Sequence, residues 1–188
     1  PSHAGQLSAI VPQVEQRFER FRAGTVARSA DARFEHFEKH VLPQIRETLQ
    51  SGLLVFASSY FDYVRLRTLL KGIGMEFAAI NEYTADADVR RAKTFFADGR
   101  NRIMLLTERA HFYKRVPIRG VKDIFFYSLP HNAQFYSELL NLLDPGTAAS
   151  ASVRALFCKY DALVLARVIG SARANRILSA SSNHFLFC

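Results

Sequence analysis

The residues best suited to chemistry lie in the stretch TERAHFYKRVPIRG, residues 107–120, which directly follows the apolar run RIMLL. This stretch and the residues just beyond it combine five cations with two aromatic side chains: Arg109, Lys114, Arg115, Arg119 and Lys122 with Phe112 and Tyr113. Cations bind phosphate groups, and aromatic rings stack on unpaired bases, so the stretch predicts contact with a nucleic acid. The same residue types would also suit docking on a protein surface.

The charge of the whole chain favours the same class of partner. Its 188 residues carry a formal net charge of +8 and give a pI near 9.8. A surplus of this size produces a field that concentrates phosphates near the surface. RNA or DNA is therefore the expected partner, and the alternative is that scattered Lys and Arg residues only keep the surface soluble.

Patterns typical of catalysis or metal binding are weak. His36 and His40 are one helical turn apart, as two zinc ligands would be, but no Cys or further His falls nearby, and we interpret the pair as a solvated helix edge. Ser58 and Ser59 follow a strand without the Gly-x-Ser-x-Gly pattern of a hydrolase, so helix capping is the better interpretation. We predict no catalytic residue and no metal ligand.

The cellular compartment is indicated by cysteine usage and hydropathy. Cys158 and Cys188 have neither metal-ligand spacing nor the pattern of a disulfide framework, which favours the reducing cytosol or nucleus. The longest apolar runs are strand-sized and far below the roughly 18 to 20 residues of a membrane span. The first residues lack a basic start followed by an unbroken apolar region, so we expect neither a membrane association nor a secretory signal.

Strand-like and helix-like segments alternate along most of the chain. Short apolar runs predict strands, and capped or amphipathic segments predict the helices between them. The predicted strands are 53–57, 76–80, 102–107, 123–129, 153–160 and 184–188, and the predicted helices are 59–74, 84–99, 132–143, 161–169 and 171–180. Because these strands are apolar on both faces, the pattern predicts an α/β fold with a parallel sheet flanked by helices.

The first part of the chain is predicted to hold two further helices. Val14, Phe18 and Phe21 have helical spacing, so we predict that residues 1–32 form a lead-in helix and linker, and that the folded domain spans 33–188 with a loop at 144–152. A second helix is predicted from Asp31 to Gly52, with a possible kink at Pro43. Its predicted apolar face consists of Phe34, Phe37, Val41, Ile45 and Leu49.

Seven aromatic residues of the predicted elements are placed like core residues and receive no functional role. They are Phe61, Tyr63, Phe77, Phe95, Phe96, Phe125 and Phe126. Their positions follow the apolar period of the strands and helices to which they belong.

Several phrases of the sequence resemble a known architecture when they are taken together. The order LLVFASSYFDYVRL, then RIMLLTERA, then VKDIFFYSLPHN resembles the second RecA-like domain of DEAD-box RNA helicases. The phrases FASSYFDYVRLR, FAAINEYTADADVRRAK, LLTERAHFYKR, IRGVKDIFFYSLP and QFYSELLN are more closely similar to the digestive organ expansion factor family. The resemblance extends from Arg33 to the C-terminus and implies a RecA-like sheet, the second helicase lobe, with degenerate motifs.

That family consists of nucleolar pseudo-helicases associated with small nucleolar RNA and the small-subunit processome. The resemblance implies a catalytically inactive scaffold in small ribosomal subunit biogenesis, located in the nucleus and nucleolus. Its implied partners are pre-rRNA or small nucleolar RNA and processome proteins. It also implies a first RecA-like lobe on the N-terminal side of these residues.

Two departures from the helicase pattern imply that ATPase activity is lost. Active relatives carry His-Arg-x-Gly-Arg-x-x-Arg on the helix after the Leu-Pro strand, whereas residues 133–143 contain no Arg, Lys or His. In the loop that begins at Thr107, the resemblance places Phe112 where active helicases have an Arg and Tyr113 where they have a Gly. The Tyr113 side chain would fill the space that this Gly leaves open for the nucleotide. Arg115 falls near the ribose-binding Asp. We therefore expect no productive ATP binding, no hydrolysis and no cofactor.

The resemblance also enlarges the predicted RNA-contact set. In helicase-like lobes the RNA backbone crosses the carboxyl ends of the strands, which adds Ser58, Ser59, Arg90 and Thr107 to the cations named above. Phe112 and Tyr113 would stack on bases or dock on a protein. Two alternatives remain open: an active ATP-dependent RNA helicase lobe whose arginines come from elsewhere, and a protein-interaction module without RNA contact.

Overall fold

Seven strands form one mixed, mostly parallel sheet in the computed structural model, which describes residues 2–48, 50–115 and 117–188. The strands are β1 (Gln16–Arg20), β2 (Leu53–Ala57), β3 (Ala78–Ile80), β4 (Ile103–Thr107), β5 (Asp123–Phe126), β6 (Val153–Phe157) and β7 (His184–Phe187). Their order across the sheet is β3-β4-β2-β5-β6-β1-β7. The first six are mutually parallel, and β7 is antiparallel to β1. The predicted α/β class and parallel sheet are confirmed, with an antiparallel strand added at one edge.

Helices cover both faces of this sheet. They are α1 (Ser29–His36), α2 (Leu42–Thr48), α3 (Tyr60–Gly72), α4 (Asp86–Ala97), α5 (Glu108–Lys114), α6 (Gln134–Leu140), α7 (Ala162–Ile169) and α8 (Ser171–Ser179). Alternate strand residues point to opposite faces: Leu54 and Phe56 pack with α4 to α8, and Leu53 and Val55 pack with α1 to α3. Within the described ranges, no helix has the length and apolar character needed to cross a bilayer.

The helix predicted from Asp31 to Gly52 is interrupted. A wide turn at Phe37–Val41 separates α1 from α2. Pro43 lies in the first turn of α2, and its ring would clash with a carbonyl of the preceding regular turn, so the backbone widens just before it. Phe37, Val41 and Ile45 are buried as predicted, whereas Leu49 lies outside the described residues.

The lead-in helix predicted for residues 14–21 is wrong, because this segment forms strand β1. β1 lies inside the sheet, between β6 and β7, and Phe18 is completely buried. The helical spacing was misleading because polar residues occupy buried positions of the strand and hide its period of two. Gln16 accepts a hydrogen bond from the Tyr136 hydroxyl at 2.6 Å on one face, and Glu19 is buried on the other. Residues 16–20 therefore belong to the same sheet as residues 33–188.

Glu19 is the centre of a buried ionic cluster that connects three strands and a helix. Its carboxylate lies 2.9 Å from Nε2 of His36 on α1, 3.6 Å from the Arg154 guanidinium on β6 and 3.5 Å from Nδ1 of His184 on β7. Burial opposes ionisation of Glu19, but the hydrogen bond with His36 and the charges of Arg154, His36 and His184 outweigh it and hold the pKa of Glu19 below its ordinary value. His36 is thus a structural partner of Glu19 and not the solvated helix residue that we predicted.

Arg33 joins α1 to the ends of the strands. It is buried, and its guanidinium donates hydrogen bonds to the carbonyl oxygens of Tyr127 and Leu156 and to the Asp161 carboxylate, at 2.8, 3.3 and 2.8 Å. It also packs over the ring of Phe21, 4.6 Å from the centroid. Tyr127 follows β5, Leu156 lies at the end of β6 and Phe21 follows β1, so one side chain holds the carboxyl ends of three strands together.

We expect Glu19→Gln to lower the free energy of unfolding by about 2 to 4 kcal/mol at neutral pH, because the largely buried Arg154 guanidinium loses its counter-charge and His36 loses a charged hydrogen-bond partner. The folded-state pKa of Glu19 is lowered, so its stabilisation is fully present above the ordinary pKa of 4.5 and is lost as the pH falls through the lower folded-state value. Urea unfolding of both proteins from neutral to acidic pH measures this difference. Glu15→Gln on the same segment, whose carboxylate is exposed, is the matched control, and an equal effect of both substitutions would contradict the account.

Candidate nucleic-acid interface

The strands β2, β3, β4 and β5 end side by side, and the residues that follow them form a surface that we call the carboxyl edge, comprising 58–60, 81–84, 107–109 and 127–132. The Ser59 side chain accepts a hydrogen bond from the Asp62 backbone N–H at 3.1 Å and caps α3, as predicted. The Ser58 backbone N–H donates to the Ser128 hydroxyl, which lies 2.8 Å from the Ser58 hydroxyl. The hydrogen bonds between Ser58 and Ser128 therefore connect the turn after β2 to the turn after β5.

The segment after β4 forms the two-turn helix α5, where the sequence predicted a basic loop. Thr107 is buried, and its side chain accepts the Ala110 backbone N–H at 3.2 Å, which starts the helix. The Thr107 hydroxyl donates in turn to the Glu82 carboxylate at 3.1 Å. The seven residues of α5 span only about two helical turns, which is too short for a periodic apolar pattern to be recognised, so the sequence did not predict this helix. Thr107, a predicted RNA contact, caps α5, and its hydroxyl is engaged by Glu82.

Glu108 ties α5 to the start of α6. One of its carboxylate oxygens accepts the His131 backbone N–H at 2.8 Å, and the other accepts the Asn132 backbone N–H at 3.0 Å. Both donors lie in the turn between β5 and α6, so the carboxylate takes two N–H groups that an anionic ligand would otherwise contact. Glu82 and Glu108 therefore both have protein donors, and they compete less for the cations of the edge.

A cavity of about 420 Å³ opens between these turns. Its lining comprises Ser58, Ser59, Tyr60, Glu82, Tyr83, Thr107, Glu108, Arg109 and His131. Arg109 is exposed and has no ion-pair partner among the described residues. Of the predicted RNA-binding cations, Arg109 is therefore the one that lies on the carboxyl edge with its charge available.

Aromatic rings missed by the sequence reasoning stand beside this cavity. Tyr83 is 73% exposed and packs edge-on against Tyr60, with ring centroids 5.2 Å apart. Tyr60 stacks in turn on the buried Tyr63 at 5.7 Å. The prediction that Phe61 is a core residue is wrong, because its side chain is 61% exposed. The signal was available: Tyr60 and Tyr83 each come three residues after the end of a strand, at the start of connections that a parallel sheet collects at one edge.

The two predicted aromatic residues belong to a different cluster, at the far end of α5. Phe112 and Tyr113 are exposed and pack edge-on at 5.0 Å, and Phe112 lies 6.3 Å from Phe135 of α6. The Arg115 guanidinium packs over Phe135 at 5.3 Å. The Lys114 ammonium is engaged by the protein itself, because it donates a hydrogen bond to the Thr84 carbonyl oxygen at 2.8 Å. We call Phe112, Tyr113 and Arg115 the aromatic–arginine cluster.

The remaining predicted cations lie away from the carboxyl edge. Arg90 and Arg119 line a separate cavity beside α4. Lys122 directly precedes β5, and its ammonium lies 3.3 Å from the hydroxyl of Ser51, which precedes β2. Since parallel strands begin at the edge opposite to the one where they end, Lys122 and Ser59 lie at opposite edges of the sheet. The structure therefore divides the predicted RNA-binding residues among several surfaces.

Helix α6 offers a carboxylate and aromatic rings at the position where the resemblance puts catalytic arginines. Glu138 is paired with His111 of α5 at 2.8 Å, and Phe135 packs edge-on against the same imidazole at 4.7 Å. Tyr136 is completely buried, and burial raises its pKa well above the ordinary value. An ATPase site needs guanidinium groups for the charge that develops on the transferred phosphate, and α6 contains neither Arg nor Lys.

Metal chemistry receives no support from the described side chains. Within residues 2–48, 50–115 and 117–188, no group of three or more His, Cys, Asp or Glu residues is placed to hold an ion. The ring centroids of His36 and His40 lie 5.0 Å apart with the rings tilted to each other, and His36 is hydrogen-bonded to Glu19.

Comparisons with known proteins identify relatives of almost the whole chain. A family model described as Utp25, C-terminal domain, matches residues 6–187. The Arabidopsis thaliana Protein NUCLEOLAR FACTOR 1 is 41% identical over 186 residues, covering 99% of this chain and 24% of that protein. The Homo sapiens U3 small nucleolar RNA-associated protein 25 homolog is 41% identical over 186 residues, covering 97% of this chain and 25% of that protein. The chain thus spans about a quarter of the length of these relatives.

Solved structures establish the fold class. The Escherichia coli DEAD-box protein SrmB, crystallised with regulator of ribonuclease activity A, superposes with a TM-score of 0.66 at 15% identity, covering 82% of this chain and 83% of that chain. The helicase domain of Pyrococcus furiosus Hef gives a TM-score of 0.51 at 14% identity, covering 68% of this chain and 26% of that chain. The predicted RecA-like helicase-lobe fold is therefore confirmed.

Glu108→Gln is expected to free the turn between β5 and α6, because the amide keeps one acceptor oxygen and sets an NH2 group, which cannot accept, against the other backbone N–H. We expect the His131 and Asn132 amides to exchange with solvent about tenfold faster, and the protein to lose about 1 to 2 kcal/mol of stability. Native-state hydrogen exchange followed by NMR measures both effects. Glu82→Gln, which contacts only the Thr107 side chain, is the control, and unchanged exchange in Glu108→Gln would contradict the role of this carboxylate.

Proposed function

Since the chain belongs to the Utp25 C-terminal domain family, we propose that it is a catalytically inactive scaffold domain of small ribosomal subunit assembly that contacts RNA through its carboxyl edge. The names of its relatives, U3 small nucleolar RNA-associated protein 25 and nucleolar factor 1, support a role in rRNA processing in the nucleolus. Small nucleolar RNA or pre-rRNA and proteins of the small-subunit processome are the partners. The resemblance to the digestive organ expansion factor family supports the same proposal.

The observation that carries the proposal is the replacement of cations by internal contacts at the start and along the face of α6. Glu108 accepts the His131 and Asn132 backbone N–H groups in the turn just before α6, and Glu138 and Phe135 contact His111. A transferred phosphate at this place would meet a carboxylate and rings instead of guanidinium groups. Since such groups each contribute orders of magnitude in rate, their absence from α6 supports an inactive domain.

RNA contact at the carboxyl edge is supported by the pairing of one cation with adjacent rings. Arg109 and Tyr83 line the same cavity, so a phosphate on the guanidinium leaves a neighbouring base within reach of the tyrosine ring. Stacking on an aromatic side chain contributes about 1 to 3 kcal/mol per base and requires no particular sequence. With one available guanidinium, the edge would bind single-stranded RNA mainly by stacking, and base sequence would matter little.

Protein docking is the second candidate, and the aromatic–arginine cluster favours it. Phe112 is 53% and Tyr113 is 67% exposed, and Arg115 extends the same surface over Phe135. Exposed rings with a neighbouring arginine are the residue types that dominate protein interfaces. A first RecA-like lobe on the N-terminal side or another assembly factor would cover this cluster, while the carboxyl edge contacts RNA.

The two candidates are separated by a pair of matched double variants in the intact protein. Tyr83→Ala with Arg109→Ala removes the ring and the cation of the carboxyl edge, and we expect ultraviolet crosslinking to RNA in cells to fall about tenfold. Tyr113→Ala with Arg115→Ala makes the same chemical change in the aromatic–arginine cluster. It is expected to leave RNA crosslinking within about twofold of the native protein and to weaken co-purification of assembly proteins. Loss of crosslinking only in the second variant would overturn the RNA assignment of the carboxyl edge.

A further inference from the structure

A second basic surface runs along α4 from Arg90 to the end of the helix and continues onto the edge of the sheet where the parallel strands begin. It consists of two cavities on either side of the last turn of α4. The first, about 650 Å³, is lined by Arg90, Lys93, Thr94, Ala97, Asp98, Pro117 and Arg119. The second, about 450 Å³, is lined by Arg46, Met75, Glu76, Gly99, Arg100 and Arg102. We call the six cations of these two linings the basic band.

The fold brings the basic band together from four separate parts of the chain. Arg90 and Lys93 are three residues apart and therefore lie on the same side of α4. Gly120 adopts a left-handed φ of +84°, and a Cβ there would meet the Ala97 Cα at 3.2 Å, so this glycine allows the segment that carries Arg119 to lie against α4. Arg100 and Arg102 follow in the turn before β4, and Arg46 comes from α2 on the other face.

The charge of this surface is far from balanced. Its linings contain six cationic side chains and two carboxylates, Asp98 and Glu76, which is an excess of four positive charges and half of the formal net charge of the chain. Asp98 is already engaged by the backbone N–H and the side chain of Arg100, at 3.0 and 3.2 Å. Among the described residues, Arg46, Arg90 and Arg119 make no ion pair. The basic band therefore carries a larger positive excess than the carboxyl edge, whose cavity is lined by one arginine and two carboxylates.

We propose that the basic band binds the phosphate backbone of a second RNA segment, on a surface separate from the carboxyl edge. Five of the six cations are arginines, whose planar forks match phosphate oxygens in pairs. The band extends over two cavities, so it is larger than the site that one small anion would occupy. A nucleic-acid strand, whose phosphates recur along its backbone, would fit a surface of this extent. A domain with contacts at two opposite edges holds two RNA segments apart and in a fixed relation, which is the task of a scaffold.

A purely structural explanation exists for some of these cations. Arg46 lies in the last turn of α2, and Arg100 and Arg102 follow the end of α4, where positive charge stabilises the helix dipole by about 0.3 to 1 kcal/mol. That explanation covers folding stability, and it predicts no change in RNA affinity when these residues are replaced. It also gives no reason for Arg90 near the beginning of α4 to line the same surface.

The test measures binding of a single-stranded uridine oligonucleotide to the chain by fluorescence anisotropy over a range of salt concentrations. Arg46→Ala with Arg102→Ala is expected to weaken binding about tenfold and to reduce the slope of log K against log salt by about 1.4, since two phosphate contacts to a single strand are lost. Arg46→Lys with Arg102→Lys keeps both charges and is expected to restore most of the slope. Thermal unfolding confirms that each variant is folded.

The matched control is Arg167→Ala with Arg176→Ala, which removes two exposed cations from α7 and α8 and changes the net charge equally. We expect it to alter the affinity less than twofold and to leave the slope unchanged, within the usual error of such measurements. If the band variant behaves like this control, the proposal is overturned. Arg109→Ala, measured in parallel, reports on the carboxyl edge alone, so failure of the basic band and failure of the proposed RNA contact at the carboxyl edge are distinguishable.

Discussion

Six parallel strands end at one edge of the sheet, so the first residues of the connections that follow them gather there, and their polar groups must find partners. Arg33 satisfies the carbonyl oxygens of Tyr127 and Leu156 together with Asp161, and Glu108 satisfies the first N–H groups before α6. Buried groups left without such partners would each cost about 1 to 3 kcal/mol. The same crowding that makes this edge a binding site in parallel sheets therefore has to be resolved by the chain itself.

In this chain, most polar groups of the carboxyl edge form hydrogen bonds with other protein groups, and this limits which groups remain free to bind a ligand. Thr107 and Glu82 bind each other, Ser58 and Ser128 bind each other, and the carboxylate of Glu108 is fully used. The groups left available to a ligand are one guanidinium and several exposed rings. Under the proposed function, such a set would hold a nucleic-acid strand by stacking and a single phosphate contact. The converging cations that stabilise a phosphoryl-transfer transition state are not among the described groups that face this edge.

The sequence predicted the fold from β2 onward because its strands are short apolar runs buried on both faces, which few other structures produce. It failed at β1, where buried Gln16 and Glu19 replace apolar residues and remove the period of two. The location of the candidate site was predicted as well, since topology alone brings the turns after β2, β3 and β4 together. The residues that form the candidate site were not predicted correctly, because the order of residues in a connection does not show which side chain faces which surface. Arg90 and Arg119 accordingly lie beside α4, and Tyr83 was missed.

The central claim is that the carboxyl edge holds RNA and no longer holds a nucleotide. Hydrogen exchange of the intact protein, read by mass spectrometry with saturating ATP and magnesium and separately with single-stranded RNA, tests it most directly. We predict that RNA slows exchange in peptides spanning 58–61, 82–84 and 107–110 and that ATP slows exchange in none of them. Protection by ATP of residues 107–115 together with 131–138 would contradict the account, because it would place a nucleotide between α5 and α6.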